Sequence, residues 1–139
     1  MTTHEYLKQI KRLNSIIVNH ADEYEHLMAL ATSITAPTDG DRVKSSAMDK
    51  LGNTVAKMVD YSKGLAIMIT ERDKIIYQLE HMTDVTSYNI LFRYYVIGDS
   101  FMDLARDMHY SKTHISRLYH KALELFEKEY GMTYLHRRN

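Results

Sequence analysis

The chain has 139 residues, 45% of them hydrophobic and 26% charged, which is enough for one or two small domains and predicts a folded protein. It has no cysteine, which excludes disulfides, thiolate chemistry and a structural zinc site of the usual cysteine kind. Eighteen basic residues balance eighteen acidic ones, so any affinity for nucleic acid has to be local.

The opening Met1-Thr2-Thr3-His4-Glu5 has no basic stretch followed by an apolar run, and no apolar segment approaches the roughly 20 residues of a membrane span. A cytoplasmic protein is expected. From Thr3 to Ile34 there is no Gly or Pro, and Tyr6, Ile10, Leu13, Ile17, Tyr24, Leu27, Ala31 and Ile34 recur at helical spacing. Ala36-Pro37-Thr38-Asp39-Gly40-Asp41 then punctuates the chain as a loop.

A second helix is predicted from Val43 to Met82. Leu51, Met58, Leu65 and Leu79 hold one heptad position, and Tyr61, Met68, Ile75 and Met82 hold its partner. Forty helical residues would span about 60 Å, so this run reads as an arm packed as a coiled coil, with Gly52 and Gly64 as places where it could bend. Folding back about Asp39 makes an antiparallel hairpin that sets Met58 near His20 and Arg72 near Tyr6 and Glu5, where either a salt bridge to Glu5 or a stem covering apolar surface with the guanidinium in water is expected. Val55, Ile69 and Ile76 widen the seam beyond one partner helix, which predicts a homodimer.

Thr83, Asp84, Thr86 and Ser87 all offer helix caps and mark a hinge. The chain therefore divides into residues 1–83, a helical hairpin and oligomerisation arm, and residues 84–139. The second part opens with a helix turning Tyr88, Leu91, Tyr94 and Tyr95 inward and stopping at Ile97-Gly98-Asp99. Ser100 caps a short helix with Asp103 at its third position, and Phe101, Leu104, Ala105 and Met108 form its apolar face. His109 and Tyr110 make a turn, and Ser111 opens a last helix keyed by Ile115, Leu118, Ala122 and Phe126.

Together these elements read as a helix-turn-helix. Lys112, Thr113, His114, Ser116, Arg117 and Lys121 are left pointing away from the core, a small, polar and cationic set suited to duplex DNA. Charge agrees locally: residues 1–84 carry ten Lys and Arg against twelve Asp and Glu, and residues 85–139 carry eight against six. Lys112 to Lys121 contains three cations, His114, His120 and no acid. Ser111, Lys112, Thr113 and His114 on the first turn, with Ser116 and Arg117 on the second, are placed to reach bases or phosphates. Arg117 suits bidentate contact with guanine, and Lys121, Arg93 and Arg106 suit phosphate.

In this segment Leu91-Phe92-Arg93-Tyr94-Tyr95 precedes Gly98, Asp103-Leu104-Ala105 follows, and Ser111, Ile115, Leu118, Ala122 and Leu123 stand at fixed intervals. With those intervals, residues 86 to 127 resemble the promoter-reading fourth region of bacterial sigma factors. The turn position that is usually glycine in that pattern is His109. A helical arm ahead of one such unit is similar to the small phage-encoded late transcription regulators of the ArpU and RinA type from Gram-positive hosts. The resemblance implies an all-α fold, a regulator of phage or mobile-element transcription in the cytoplasm of a bacterial host cell, and contact with host RNA polymerase. No segment resembles the promoter-melting region of a sigma factor.

Two other readings stand beside it: the small DNA-recognition subunit of a phage packaging terminase, and a sigma mimic that occupies the polymerase without touching DNA. No enzyme is expected. His20, Asp22, Glu23 and His26 do not share one helical face as a ligand set, so no metal is predicted. Ser111 and Ser116 lack a placed base, no Gly-rich loop exists to cradle a nucleotide, and no cofactor is called for.

Overall fold

The computed structural model describes residues 1–34 and 41–136, with residues 41–45 as backbone alone. Among the described residues every regular element is helical. Helix α1 spans Thr3–Ile34, α2 Asp41–Glu80 and α3 Val85–Phe92, the last continued by a π-helical stretch at Arg93–Ile97. Helix α4 is Phe101–Met108, α5 is Lys112–Tyr130, and a 3-10 turn follows at Gly131–Thr133.

The fold is all-α. Helix α1 has the bounds its unbroken periodicity predicts, and α2 begins and ends two residues earlier than its pattern implied. Both Gly52 and Gly64 lie inside α2. The predicted loop at Ala36–Asp41, Asp41 excepted, and the Asp39 fold-back point lie outside the described residues.

Two compact units are present, one made of Met1–Leu13 with Glu71–Asn139 and the other of Asn14–Thr70. In the first, the ends of both long helices share a core with the C-terminal helices. Leu7, Ile10, Leu79, Ile90, Leu104, Ile115 and Phe126 have no exposed surface. Fully burying one such side chain stabilises by about 1.5–3 kcal/mol. Helix α5 packs on both α3 and α4.

Two further contacts tie the termini into this core. Tyr6 donates its hydroxyl proton to Gln78 Oε1 at 2.6 Å, and its ring stacks on Tyr134 with centroids 4.2 Å apart. The Tyr134 hydroxyl lies 2.8 Å from Thr3 Oγ1, and Thr3 also donates to Glu127 at 3.2 Å.

The Arg72 guanidinium lies 3.6 Å from the Asp73 carboxylate, and the Glu5 carboxylate, instead of pairing with Arg72, accepts from the Thr2 N–H at 2.8 Å as a cap on α1. That backbone hydrogen bond is the main reason Glu5 titrates below the usual carboxylate range.

In the second unit His20 meets Tyr61 edge-on, with ring centroids 5.0 Å apart. Its Nδ1 is 3.8 Å from where a Cβ on Gly64 would sit. His20 therefore packs three to six residues beyond the Met58 that pairing outward from Asp39 implied. A Cβ at Gly64 would meet the imidazole at an ordinary van der Waals distance.

Candidate nucleic-acid interface

The segment from Ser100 to Tyr130 is assembled by local capping. Ser100 and Asp103 form a reciprocal box: the Ser100 hydroxyl accepts from Asp103 N–H at 3.1 Å, and the Asp103 carboxylate accepts from Ser100 N–H at 3.0 Å. That backbone bond, followed by one from the Ser100 hydroxyl, lowers the Asp103 pKa. Helix α4 ends at His109, which takes a left-handed conformation with φ 59° and ψ 40°. Tyr110 N–H then bonds back to Ala105 O at 3.0 Å. Ser111 caps α5 by accepting from His114 N–H at 3.1 Å.

Helix α5 buries Ile115, Tyr119, Ala122 and Phe126 along one side. Thr113, Arg117 and Lys121 recur every four residues on the other side and are exposed, as is Lys112 on the first turn. Ser116 is half-buried. His114 is also half-buried, its ring edge-on to Tyr110 with centroids 4.6 Å apart. The Ser111 hydroxyl oxygen is engaged as the cap, and its proton remains available to a phosphate. No acid occurs between Lys112 and Lys121. Lys121 does sense one across the unit, because its charge is the smallest of the causes lowering the pKa of Asp84, after the Ser87 side-chain and backbone hydrogen bonds.

The remaining two cations of the predicted set have carboxylates against them. Arg93 Nε donates to Asp99 at 2.7 Å and its terminal nitrogen donates to Asp107 at 2.5 Å. Arg106 pairs with Asp103 and Asp107, both at 3.2 Å. Hydrogen bonds from Arg93 and then Arg106 hold Asp107 below the usual carboxylate range. Arg93 thus laces the end of the π-helical stretch to α4. The turn there depends on Gly98, whose φ of 94° favours glycine.

No protein family, curated protein or solved structure matches the chain. Beneath α5 lies an aromatic layer built from Tyr94, Tyr95, Phe101 and Tyr119. The Tyr95 and Tyr119 hydroxyls are 2.6 Å apart, and His4 Nδ1 lies 2.7 Å from the former and 3.4 Å from the latter. Burial raises the pKa of both phenols.

Tyr119 is buried where Leu118 was expected, and Leu118 is half-buried. The signal was present in the sequence, since Ile115, Tyr119, Ala122 and Phe126 alternate at intervals of four, three and four. Tyr134 carried no such signal, because it lies beyond the last periodic helix. Among the described residues no three His, Asp or Glu side chains converge to hold a metal, and no helix is long and apolar enough to cross a membrane.

Proposed function

We propose that the chain is a regulator that binds duplex DNA through α5 and acts in phage or mobile-element transcription together with host RNA polymerase. In this reading α4, the His109-Tyr110 turn and α5 form a helix-turn-helix that follows an antiparallel helical arm in the sequence. The supporting observation is the acid-free, exposed row Thr113, Arg117 and Lys121, which stands opposite the buried side of α5. The N-terminal end of such a helix enters the major groove, with Thr113, His114 and Ser116 near base edges and Arg117 on guanine. Lys112, Lys121 and the Ser111 hydroxyl take phosphates. Arg93 ties the π-helical stretch to α4 through Asp107, Arg106 pairs with Asp103 and Asp107 of its own helix, and both cations, already balanced by carboxylates, add less to phosphate attraction than Lys112 and Lys121.

The two phosphate-binding cations of each copy, Lys112 and Lys121, give a salt slope of about −1.8 in log K against log salt, and roughly twice that for a pair of copies. A dimer presenting two such helices places its half-sites about 34 Å, or a multiple, apart. Replacing Arg117 by alanine removes a contact worth about 1–3 kcal/mol of discrimination, a loss of roughly 5- to 150-fold on the preferred site. Fragments selected from the source genome supply that site, and titration of wild type and Arg117→Ala at fixed salt reads the change. Unaltered affinity together with unaltered sequence preference refutes the groove assignment.

A further inference from the structure

Within Asn14–Thr70, α2 carries two apolar stripes and only one is covered. Leu51, Thr54, Met58, Tyr61, Leu65 and Met68 are half-buried at alternating intervals of three and four, the spacing of a seam against another helix. About 100° further round the helix, Met48, Gly52, Val55, Val59, Ser62, Ala66 and Ile69 repeat that spacing and are all exposed. Met48 is 71% exposed, and Val55 and Val59 are each 45% exposed. This uncharged stripe runs about 32 Å along the helix.

We propose that the second stripe is the contact face between two copies of this chain, with α2 of one copy antiparallel to α2 of the other about a two-fold axis between Asp60 and Tyr61. It gives the pairing invoked for DNA recognition its surface, but it stands on the sequence and exposure of α2. The operation sets Val59 against Ser62 of the second copy, Val55 against Ala66, and Ile69 against Gly52. Each larger side chain then meets a small one, and the match occurs twice because an isologous contact repeats itself. On the outer flank Lys63 of each copy comes toward Asp60 of the other, opposite charges in both directions. A parallel pairing would instead stack Val55 on Val55 and Lys63 on Lys63.

Helix α1 adds a second observation: one position on from its own seam stand Val18, Ala21, Glu25 and Met28, with Val18 and Met28 57% and 47% exposed and the exposed, charged Glu25 between them. The register shown by His20 with Tyr61 and Gly64 carries the α2 midpoint to about residues 21–23 of α1. Val18 and Met28 are symmetric about position 23, so the same axis lays each against the other's counterpart. In two antiparallel helices, faces one residue on from each seam point to the same side, so both exposed stripes belong to one surface. Four helices packed this way form a bundle in which each helix touches two neighbours.

The test uses the full-length chain without DNA. Sedimentation of the wild type at tens of micromolar is expected to give the dimer mass. Val59→Glu, at a position already half open, is expected to keep its helix content by circular dichroism while weakening association at least about 100-fold, because a carboxylate is forced into an apolar contact. The chain has no cysteine, so single cysteines report the register. Ser62→Cys places the two sulfurs about 4.5 Å apart along the axis and is expected to cross-link on oxidation, whereas Met48→Cys places them about 37 Å apart and is not. A wild type that stays monomeric to about 100 µM, an intact Val59→Glu dimer, or cross-linking through Met48→Cys each overturns the proposal. A dimer that fails to bind DNA overturns the DNA reading alone.

Discussion

Replacing Tyr134 by alanine removes a side chain with no exposed surface from the unit that carries α5. Its ring stacks on Tyr6 at an interplanar angle of 9° and lies 6.1 Å, centroid to centroid, from Phe126. Truncating a buried aromatic ring costs about 3–5 kcal/mol in lost transfer energy and residual cavity.

The hydroxyl contributes separately. Its 2.8 Å bond to Thr3 is worth about 0.5–1.5 kcal/mol, and Thr3 retains Glu127 when that bond is lost. Tyr134→Phe is therefore expected to cost about 1 kcal/mol and Tyr134→Ala about 4 kcal/mol, against a typical total stability of about 5–15 kcal/mol. In thermal terms the alanine variant should melt roughly 10–15 °C lower. The chain has no tryptophan, so urea unfolding followed by tyrosine fluorescence beside circular dichroism reads the aromatic core and the helices separately. A loss under about 1 kcal/mol for Tyr134→Ala, or equal losses for the two variants, would refute the placement of this ring in the core.

Two other outcomes are expected. Burial raises the phenol pKa values of Tyr95, Tyr119 and Tyr134, so the stability they contribute is complete below about pH 10 and is lost as pH rises toward their folded values. Denaturation between pH 8 and 11.5 should show that decline, and it should be shallower in Tyr95→Phe; an equal slope in both proteins rejects the buried network. His109 holds a left-handed backbone that disfavours a β-carbon, so His109→Gly should raise stability by about 0.5–1 kcal/mol, net of the extra freedom glycine gives the unfolded chain. A fall in its urea midpoint would contradict that accounting of strain.

Much of the helical fold was legible because its causes are local. The caps at Ser100 and Ser111, the glycine stop at Gly98 and the bounds of α1 each depend on residues within one or two turns. The exposed Thr113, Arg117 and Lys121 followed from helical periodicity in the same way. Periodicity was less reliable where two neighbouring positions are both apolar. Leu118 and Tyr119 could each have faced inward, and the hydroxyl of Tyr95 together with His4 gives the buried place to Tyr119.

By itself the sequence determined an all-helical chain, the ends of most of its helices and a basic, acid-free stretch on α5, since backbone hydrogen bonding and charge pattern act over short separations. Only the tertiary structure decided that Thr3, Tyr6 and Tyr134 close one core, that Arg93 reaches Asp107 on α4, and that His20 packs edge-on to Tyr61. Those contacts join residues whose relative positions are set by how whole helices pack. A side chain's partner across such a junction depends on shape and register, which hydrophobic spacing along one helix does not encode.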